Sequence, residues 1–191
     1  MAVVRVQPEP LSGPWVEGFV LDKHVVKSTP IGEVHGHMQF DTVRTELGER
    51  VFSLKNRAGA ADDIVDTAVA FIQQKWSSSI DCVVAVPPSV GRTKQPAVVI
   101  ARGIAKGIGV PFLPDAANKE KPTPQMKNVP PHERAPLLKK AIDSGTAALR
   151  GKRVLIVDDL WETGSSMKRV AEVVHEMGAA EIRVLAMTRT K

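Results

Sequence analysis

The run VLIVDDLWETGSS, residues 154–166, is the most informative segment of this 191-residue chain. It opens with four consecutive aliphatic side chains, three of them β-branched. A short run of this kind predicts a strand that is buried on both faces, as in a parallel sheet covered by helices. Beyond it, apolar residues recur at helical spacing, namely at Met167, Val170, Val173, Val174 and Met177. They predict a helix that Gly178 ends.

The residues between this strand and this helix suit a sugar phosphate. Asp158 and Asp159 are predicted at the end of the strand, where their carboxylates can accept hydrogen bonds from vicinal sugar hydroxyls or stand near a Mg²⁺ ion. The free N–H groups of the helix start, with the hydroxyls that follow Glu162, suit a phosphate dianion. Ligands of α/β proteins bind at this edge of the sheet. The alternative is an ordinary capped turn without a ligand.

The whole run closely resembles the phosphoribosyl diphosphate (PRPP) binding motif of the type I phosphoribosyltransferases. That motif has an aliphatic strand, two acidic residues, a short turn and Thr-Gly-x-Thr/Ser. The resemblance implies the α/β fold of that superfamily, a mostly parallel sheet flanked by helices, with an N-terminal hood. It also implies that Asp158 and Asp159, the candidate catalytic residues, face the ribose 2′ and 3′ hydroxyls. The residues implied to wrap the 5′-phosphate are Glu162, Thr163, Gly164, Ser165 and Ser166.

The run departs from the common motif at three positions. Trp161 and Glu162 occupy turn positions where small or hydroxyl residues are commoner, and Ser166 replaces the usual Thr. A carboxylate beside a phosphate is repulsive unless it is paired or points away. We therefore expect a favourable contribution from Glu162 to come from its backbone N–H.

A second strand–loop–helix unit precedes this motif. Residues 80–86 predict a buried strand that two prolines end, residues 95–106 a helix and residues 110–113 a short strand. This βαβ order requires parallel pairing, so the loop at 89–94 lies on the same sheet edge as Asp158. In the type I fold the corresponding loop contacts pyrophosphate. The resemblance therefore implicates Ser89, Arg92 and Lys94. An exposed loop with incidental charges is the alternative.

Residues 114–136 contain six prolines and no regular apolar period, which predicts a long irregular loop. Long loops inside compact domains are usually lids or disordered segments, and residues 137–142 are predicted to form a short helix behind this one. In phosphoribosyltransferases a flexible loop at this place closes over the reaction and excludes water. The candidate contributors here are Lys119, Lys121, Gln125, Lys127 and Arg134.

Weaker patterns mark the N-terminal region. Residues 15–26 predict a strand, residues 42–57 a helix, and a clearer helix starts at Asp62 or Asp63. The residues predicted to mark turns are Pro30, Gly32 and Gly36.

The expected organisation has three parts within one structural unit. Residues 1–13 form a flexible tail, residues 14–78 a hood with helices, and residues 79–191 the PRPP-binding α/β core. The hood selects the acceptor base in this superfamily, and nothing in this one specifies a base.

The composition is that of an ordinary soluble globular protein, with 43% hydrophobic and 25% charged residues. No apolar run approaches the length of a membrane span, and the N-terminus lacks a signal-peptide core, so a cytoplasmic location is expected. The single cysteine, Cys82, excludes an intramolecular disulfide and a Cys-rich zinc site, and it is predicted to be buried.

Positive charge is concentrated in one segment of the chain. The net charge is +5, and residues 117–153 hold nine lysine or arginine residues against three acids, a local net charge of +6. Such a segment suits a polyanion, either a pyrophosphate or a nucleic acid, and a solvated surface loop is the third interpretation.

The chemistry that the resemblance implies is displacement of pyrophosphate from ribose C1 by a nitrogen nucleophile. Mg²⁺ is the implied cofactor, held mainly by PRPP, and no metal site made by the protein alone is predicted. His24, His35 and His37 lack the cysteines or clustered carboxylates that would complete such a site. The absence of a Walker phosphate loop argues against an ATPase.

From about Cys82 onward the order of parts is similar to the ComF-like or amidophosphoribosyltransferase-like branch, without its zinc module. Three functional hypotheses stay open. The first is a phosphoribosyltransferase of nucleotide metabolism that acts on a nucleobase or related nitrogen acceptor. The second is a non-catalytic regulator that senses PRPP or a nucleotide. The third is a nucleic-acid-associated protein, since ComF-like proteins resemble DNA-uptake factors. A homodimer is compatible with each.

Overall fold

The computed structural model describes residues 3–35, 37–57, 59–77, 79–88, 95–119 and 123–190. In chain order, their strands and helices are β1 (Glu9–Pro10), β2 (Glu17–Lys23), β3 (Val25–Val34), β4 (His37–Arg44), α1 (Glu46–Asn56), α2 (Asp62–Lys75), β5 (Cys82–Ala85), α3 (Pro96–Ile108), β6 (Ala117–Lys119), α4 (Pro131–Ala141), β7 (Ile142–Ser144), β8 (Arg153–Trp161), α5 (Ser165–Glu176) and β9 (Glu181–Arg189). Short 3₁₀ turns cover Pro114–Ala116 and Met126–Asn128.

Five of these strands form the central sheet, in the order β1-β2-β9-β8-β5. Successive neighbours from β2 to β5 are parallel, and β1 pairs antiparallel at the edge. The predicted α/β fold with a mostly parallel sheet flanked by helices is therefore confirmed. Because parallel strands point the same way, the carboxyl ends of β5, β8 and β9 meet at one edge of the sheet.

The two faces of the sheet are covered by different helices, and burial alternates along β8 accordingly. Val154 and Ile156 join the core beneath α4 and α5, whereas Leu155 and Val157 join the core beneath α1, α2 and α3. All four side chains are at most 1% exposed. The run is therefore continuously aliphatic because each face of the strand has its own core to fill.

The main helix predictions are confirmed. Helix α5 buries the predicted apolar stripe, and the chain leaves it through Gly178, which has a φ of 86°. Helix α2 starts at Asp62, and α3 covers the predicted range except Gln95, which lies at its N-cap. No helix of the described residues is both long and apolar enough to cross a membrane.

The strand predicted at 110–113 is reduced to a single parallel bridge between Val83 and Phe112. The N–H of Val83 donates to the backbone oxygen of Pro111 over 3.0 Å, and the N–H of Leu113 donates to that of Val83 over 2.9 Å. Pro111 has no N–H, so it cannot extend the ladder, and the expected strand is wrong for this reason.

The N-terminal residues pack against the sheet, contrary to the predicted flexible tail. Within residues 3–13, β1 pairs with β2, and Val4 and Leu11 are buried. The backbone N–H of Val4 donates to Thr67 Oγ1 over 2.9 Å, which ties the segment to α2. Pro10, one of the prolines that suggested disorder, lies in an edge strand, where proline is tolerated.

Helix α1 starts four residues later than predicted, at Glu46, and Thr42 belongs to β4. The side chain of Thr45 caps the helix, because its Oγ1 accepts a hydrogen bond from the N–H of Gly48 over 3.0 Å. The same hydroxyl donates to the backbone oxygen of Lys23 over 2.6 Å. The cap therefore joins the helix start to the end of β2.

The predicted strand at 15–26 is divided at His24 into the whole of β2 and the start of β3. Strands β3 and β4 form a separate two-stranded hairpin. Pro30 and Gly32, predicted in turns, lie inside β3, where the register with β4 shifts. That irregularity accommodates them in a strand. Gly36 lies outside the described residues.

The segment predicted as an irregular loop, residues 114–136, is partly ordered. Strand β6 pairs with β7, and Met126 and Val129 are buried in the core. Helix α4 starts at Pro131, six residues earlier than predicted. Proline is favoured in a first helical turn, where the missing N–H has no partner to lose, so this proline starts a helix rather than marking a loop. Residues 120–122 lie outside the described residues.

The single cysteine occupies a core position, as predicted. Cys82 lies on β5 and is fully buried. Burial raises the pKa of its thiol to about 11. The thiolate, which is the reactive form, is therefore scarce at neutral pH.

Candidate functional site

Strand β8 extends further than predicted, and the two acidic residues lie inside it. The strand continues through Trp161, because Asp158 pairs opposite Ala186 and Trp161 opposite Arg189 on β9. The turn before α5 is correspondingly shorter, residues 162–164. Both carboxylates are thus carried by a paired strand at the carboxyl edge of the sheet, which fixes their backbone positions.

A cleft of about 470 Å³ lies at this edge. The predicted site residues that line it are Asp158, Asp159, Glu162, Thr163, Gly164, Ser165, Ser166, Gln125 and Lys127. The predicted residues Ser89, Arg92, Lys94 and Lys121 lie outside the described part of the chain.

Two of the predicted lid residues do not line the cleft. Lys119 lies on β6 and is half-buried, and this burial lowers the pKa of its ammonium group. Arg134 donates from Nε to the backbone oxygen of Val129 over 2.8 Å, which braces the start of α4. In this arrangement both side chains serve the packing of the segment rather than the cleft.

The acidic pair is enclosed and tightly coupled. The backbone N–H of Asp159 donates to Asp158 Oδ1 over 2.9 Å. Burial, reinforced by the negative charge of Asp159, raises the pKa of Asp158 well above its ordinary value. Asp159 Oδ2 lies 3.5 Å from Nζ of Lys55 on α1. Carboxylates held in this way present acceptor oxygens to a ligand that offers hydroxyl groups.

The turn that follows is built for a close backbone approach. Gly164 caps α5 with a φ of 71°, in the left-handed region, and a Cβ there would come within 2.3 Å of the Trp161 ring. Thr163 Oγ1 donates to Ser165 Oγ over 3.1 Å. The first N–H groups of α5 have no carbonyl partner within the helix, and the helix dipole is positive here. These groups can bind an anion such as phosphate.

The two unusual turn residues each have a structural partner. The Trp161 ring packs edge-to-face against Trp15, with ring centroids 6.1 Å apart, and lies under Gly164 as the floor of the turn. Glu162 Oε1 lies 3.6 Å from Nζ of Lys127. The carboxylate of Glu162 is therefore paired, which reduces its repulsion of an anion in the turn.

A second wall of the cleft comes from residues that the sequence analysis did not associate with the site. They are His24, Arg44, Phe52, Lys55 and Asn56. Phe52, Lys55 and Asn56 lie in the predicted helix, but its apolar spacing identifies the core face of the helix and not the neighbouring polar positions. Only the folded chain brings these residues together at the cleft.

This second wall is organised around a stacked arginine. The guanidinium carbon of Arg44 lies 3.7 Å from the centre of the Phe52 ring, and its Nη1 lies 3.5 Å from Glu49 Oε2. His24 Nδ1 is 3.0 Å from Thr188 Oγ1. Burial, together with the charges of Arg44 and Lys55, lowers the pKa of His24, so its ring is neutral near pH 7.

Among the described residues, no group of three or more His, Cys, Asp or Glu side chains is placed to hold a metal ion. The basic segment at 117–153 is not a uniform cationic face either. Arg153 is paired with Asp81, with Nη2 and Oδ1 2.6 Å apart, and Lys119 is turned into the protein.

The family model for the phosphoribosyl transferase domain matches residues 59–189 of the chain. No curated protein sequence matches it closely enough to count as a relative.

Several solved structures share the fold at low sequence identity. A glutamine PRPP amidotransferase from B. subtilis is 19% identical over 80% of this chain and 34% of that chain, with a TM-score of 0.50. An adenine phosphoribosyltransferase is 17% identical over 86% of both chains, with a TM-score of 0.47. A phosphoribosylpyrophosphate synthetase from Mycobacterium smegmatis is 17% identical over 65% of this chain, with a TM-score of 0.44. The chain spans only 33% of that synthetase.

Proposed function

Because the chain belongs to the phosphoribosyl transferase domain family, we propose that it binds PRPP with Mg²⁺ and transfers the phosphoribosyl group to a nitrogenous acceptor, releasing pyrophosphate. The observation that carries this proposal is the placement of Asp158 and Asp159 beside the Thr163–Ser166 turn in one cleft. A carboxylate pair suits a vicinal diol, and a helix start suits a phosphate. PRPP carries both groups on one ribose.

In this proposal the ribose lies over the end of β8. Asp158 and Asp159 accept hydrogen bonds from the 2′ and 3′ hydroxyls, and both carboxylates are already enclosed in the cleft. The 5′-phosphate is held by the backbone of the turn and the first N–H groups of α5, with the hydroxyls of Thr163, Ser165 and Ser166. Glu162 contributes through its backbone, because Lys127 pairs with its carboxylate.

The pyrophosphate lies on the β5 side of the cleft, where the chain leaves the sheet toward α3. The residues proposed to bind it are Ser89, Arg92 and Lys94. Gln125 and Lys127, which line the cleft, close over the ligand, with Lys121 as a further lid candidate. Closure would exclude water, which otherwise competes with the acceptor for ribose C1.

One wall of the cleft is left to bind the acceptor. With the phosphate at α5, the diol at β8 and the pyrophosphate at the β5 side, the wall of His24, Arg44, Phe52 and Asn56 faces ribose C1. This wall belongs to the proposed hood, residues 14–78. An aromatic ring and a guanidinium group on the same wall suit a planar nitrogen heterocycle.

The proposed reaction is a displacement at C1. A bond forms between the acceptor nitrogen and C1 while the bond from C1 to the pyrophosphate oxygen breaks, and pyrophosphate leaves with the electron pair. If the acceptor nitrogen carries a proton, that proton passes to the departing pyrophosphate or to solvent. Positive charge develops on the ribose, and the nearby carboxylates of Asp158 and Asp159 stabilise it electrostatically. Mg²⁺, when bound, would be held mainly by PRPP and would offset the charge of the leaving group.

The finer placement in the ComF-like branch stays part of this proposal and rests on the order of parts after Cys82.

The test of the proposed transfer is pyrophosphate release from PRPP and Mg²⁺ in the presence of a panel of nucleobases and other nitrogen acceptors. Release that depends on one acceptor supports the transferase. Tight PRPP binding without release from any acceptor overturns transfer and favours the sensing regulator. DNA binding with a steep salt dependence, without PRPP binding, favours the nucleic-acid hypothesis.

A further inference from the structure

The enclosed pair of carboxylates needs a positive charge beside it. Burying one carboxylate is costly, and two adjacent ones repel each other unless a cation or hydrogen bonds compensate. Asp158 Oδ1 receives the N–H of Asp159, but within the described residues Asp159 Oδ2 is enclosed and accepts no hydrogen bond. Its compensation is therefore electrostatic.

The period of the strand determines where that compensation comes from. Successive side chains of β8 point to opposite faces, so Asp159 lies on the same face as Leu155 and Val157, toward α1, α2 and α3. Lys55 lies in the last turn of α1, and its Nζ is 3.5 Å from Asp159 Oδ2. Its side chain is 30% exposed, so the ammonium group reaches inward from the rim of the cleft.

The other cationic and titratable groups around the pair are committed elsewhere. Arg44 at the end of β4 pairs with Glu49 and stacks on Phe52. His24, after β2, is neutral near pH 7, because burial and neighbouring cations lower its pKa.

On the turn side, Lys127 pairs with Glu162. Among the described residues, Lys55 is thus the cation that contacts the acidic pair.

We propose that Lys55 is a positioning residue for the sugar site: from the N-terminal region, it holds Asp159 in place and keeps the acidic pair able to accept hydrogen bonds from a ribose diol. The proposal rests on the proposed function for the identity of the ligand. It also links the two walls of the cleft, because the helix that carries Lys55 also carries Phe52 and Asn56. Movement of α1 would reach the sugar site through this contact.

The first test does not depend on PRPP. The carboxyl carbon of Asp158 is followed by NMR across a pH titration of the unliganded full chain, in wild type, Lys55→Met and Lys55→Arg. The charge of Lys55 opposes the burial that raises the pKa of Asp158, so removing it should raise the midpoint of this titration further, whereas arginine should preserve the midpoint. An unchanged midpoint in Lys55→Met overturns the proposal. Lys55→Gln replaces it if Lys55→Met fails to fold.

The second test uses PRPP with Mg²⁺ and calorimetry. We expect Lys55→Met to weaken binding about tenfold near pH 7 and to shift the loss of affinity on acidification to higher pH. Lys75→Met is the matched control, since Lys75 also ends a helix and pairs with a carboxylate, Glu17 at 3.1 Å, away from the cleft. Equal weakening in both variants, or none in Lys55→Met, contradicts the proposal. If wild type does not bind PRPP, the proposed function fails and the NMR titration alone decides the role of Lys55.

Discussion

The two walls of the cleft are built in different ways. One wall is a continuous segment, residues 158–166, that presents strand carboxylates, a glycine turn and backbone N–H groups. The second wall is assembled from His24, Arg44 and helix α1, which only the fold brings together. The continuous wall suits the part of a substrate that a short motif can bind, a sugar phosphate. The assembled wall suits a part that varies with the shape of the hood, the acceptor.

This difference predicts separable effects of mutation. Changes in the continuous wall should remove PRPP binding itself. Changes in the assembled wall should alter the use of the acceptor and leave PRPP binding nearly intact. Lys55 is the exception, because it contacts Asp159.

The largest effect is expected from replacing both acids, Asp158→Asn with Asp159→Asn. We expect no detectable PRPP binding, because the amides lose the charge that favours hydrogen bonds from the diol, while the strand stays paired and the fold stays intact. Calorimetry and circular dichroism measure the two outcomes. The matched control is Asp62→Asn with Asp63→Asn, another adjacent pair, at the start of α2. Unchanged PRPP affinity in the first variant would sink the role assigned to these carboxylates.

Gly164→Ala should break the turn with a somewhat smaller overall effect. The left-handed φ of 71° costs about 1–2 kcal/mol for a non-glycine residue, and the new Cβ would also collide with the Trp161 ring. We expect the free energy of unfolding to fall by more than this backbone cost, and ribose 5-phosphate to bind at least tenfold more weakly.

Gly109→Ala separates the two causes. Gly109 has a similar φ of 74° but open space around its Cβ position, far from the cleft. In chemical unfolding, Gly109→Ala should lose only the stability that the left-handed backbone accounts for. It should bind ribose 5-phosphate normally. If both variants lose equal stability and both bind normally, the close packing of Trp161 under the turn has no role in the site.

Phe52→Leu tests the assembled wall. Leucine retains apolar volume but removes the ring on which Arg44 stacks, so we expect acceptor-dependent pyrophosphate release to fall about tenfold while PRPP affinity changes less than about twofold. The control is Phe40→Leu, on the exposed part of the β3–β4 hairpin. A loss of PRPP affinity equal to the loss of turnover would mean that the two walls do not act separately.

Asp158→Asn alone should have the smallest effect in free energy, a gain of stability. The pKa of Asp158 is raised in the folded protein, and in the unfolded chain it is about 4. Between these values the folded state holds a proton that the unfolded state lacks, so stability increases as pH falls through the raised pKa. Near neutral pH the charged carboxylate of Asp158 therefore lowers the free energy of unfolding, and the uncharged amide of the variant does not.

We expect this variant to be more stable than wild type in urea unfolding near pH 7, and the gain should shrink toward about pH 4. The contrast between the two walls thus extends to stability. In the continuous wall, the carboxylate of Asp158 is required for PRPP binding, but near neutral pH it lowers the free energy of unfolding. A variant that is less stable than wild type near pH 7 would contradict the assigned direction.

The continuous wall could be predicted from sequence because its information is local. The aliphatic run, the acids and the Thr-Gly-Ser-Ser turn are adjacent in the chain, and their periods define the strand and α5. The limit of β8 could not be predicted, because its last four residues are held by pairing with β9 rather than by their own pattern. The early start of α4 was hidden by Pro131, which initiates a helix as readily as it interrupts one.

The assembled wall could not be predicted, since no spacing relates His24 to Arg44 or Lys55. The position of α1 depends on the cap at Thr45 and on the core beneath the helix, and only tertiary contacts turn Lys55 toward Asp159. The roles assigned to the pyrophosphate loop stay predictions, as Ser89, Arg92 and Lys94 lie outside the described residues.

The most direct measurement is calorimetric titration of the full chain with PRPP and Mg²⁺, beside ribose 5-phosphate under the same conditions. We predict that both ligands bind to one site. PRPP should bind more tightly, and this difference should depend on Mg²⁺, because the β5 side of the cleft adds contacts to the pyrophosphate. Absence of binding to either ligand would contradict the assignment of the cleft as a sugar-phosphate site.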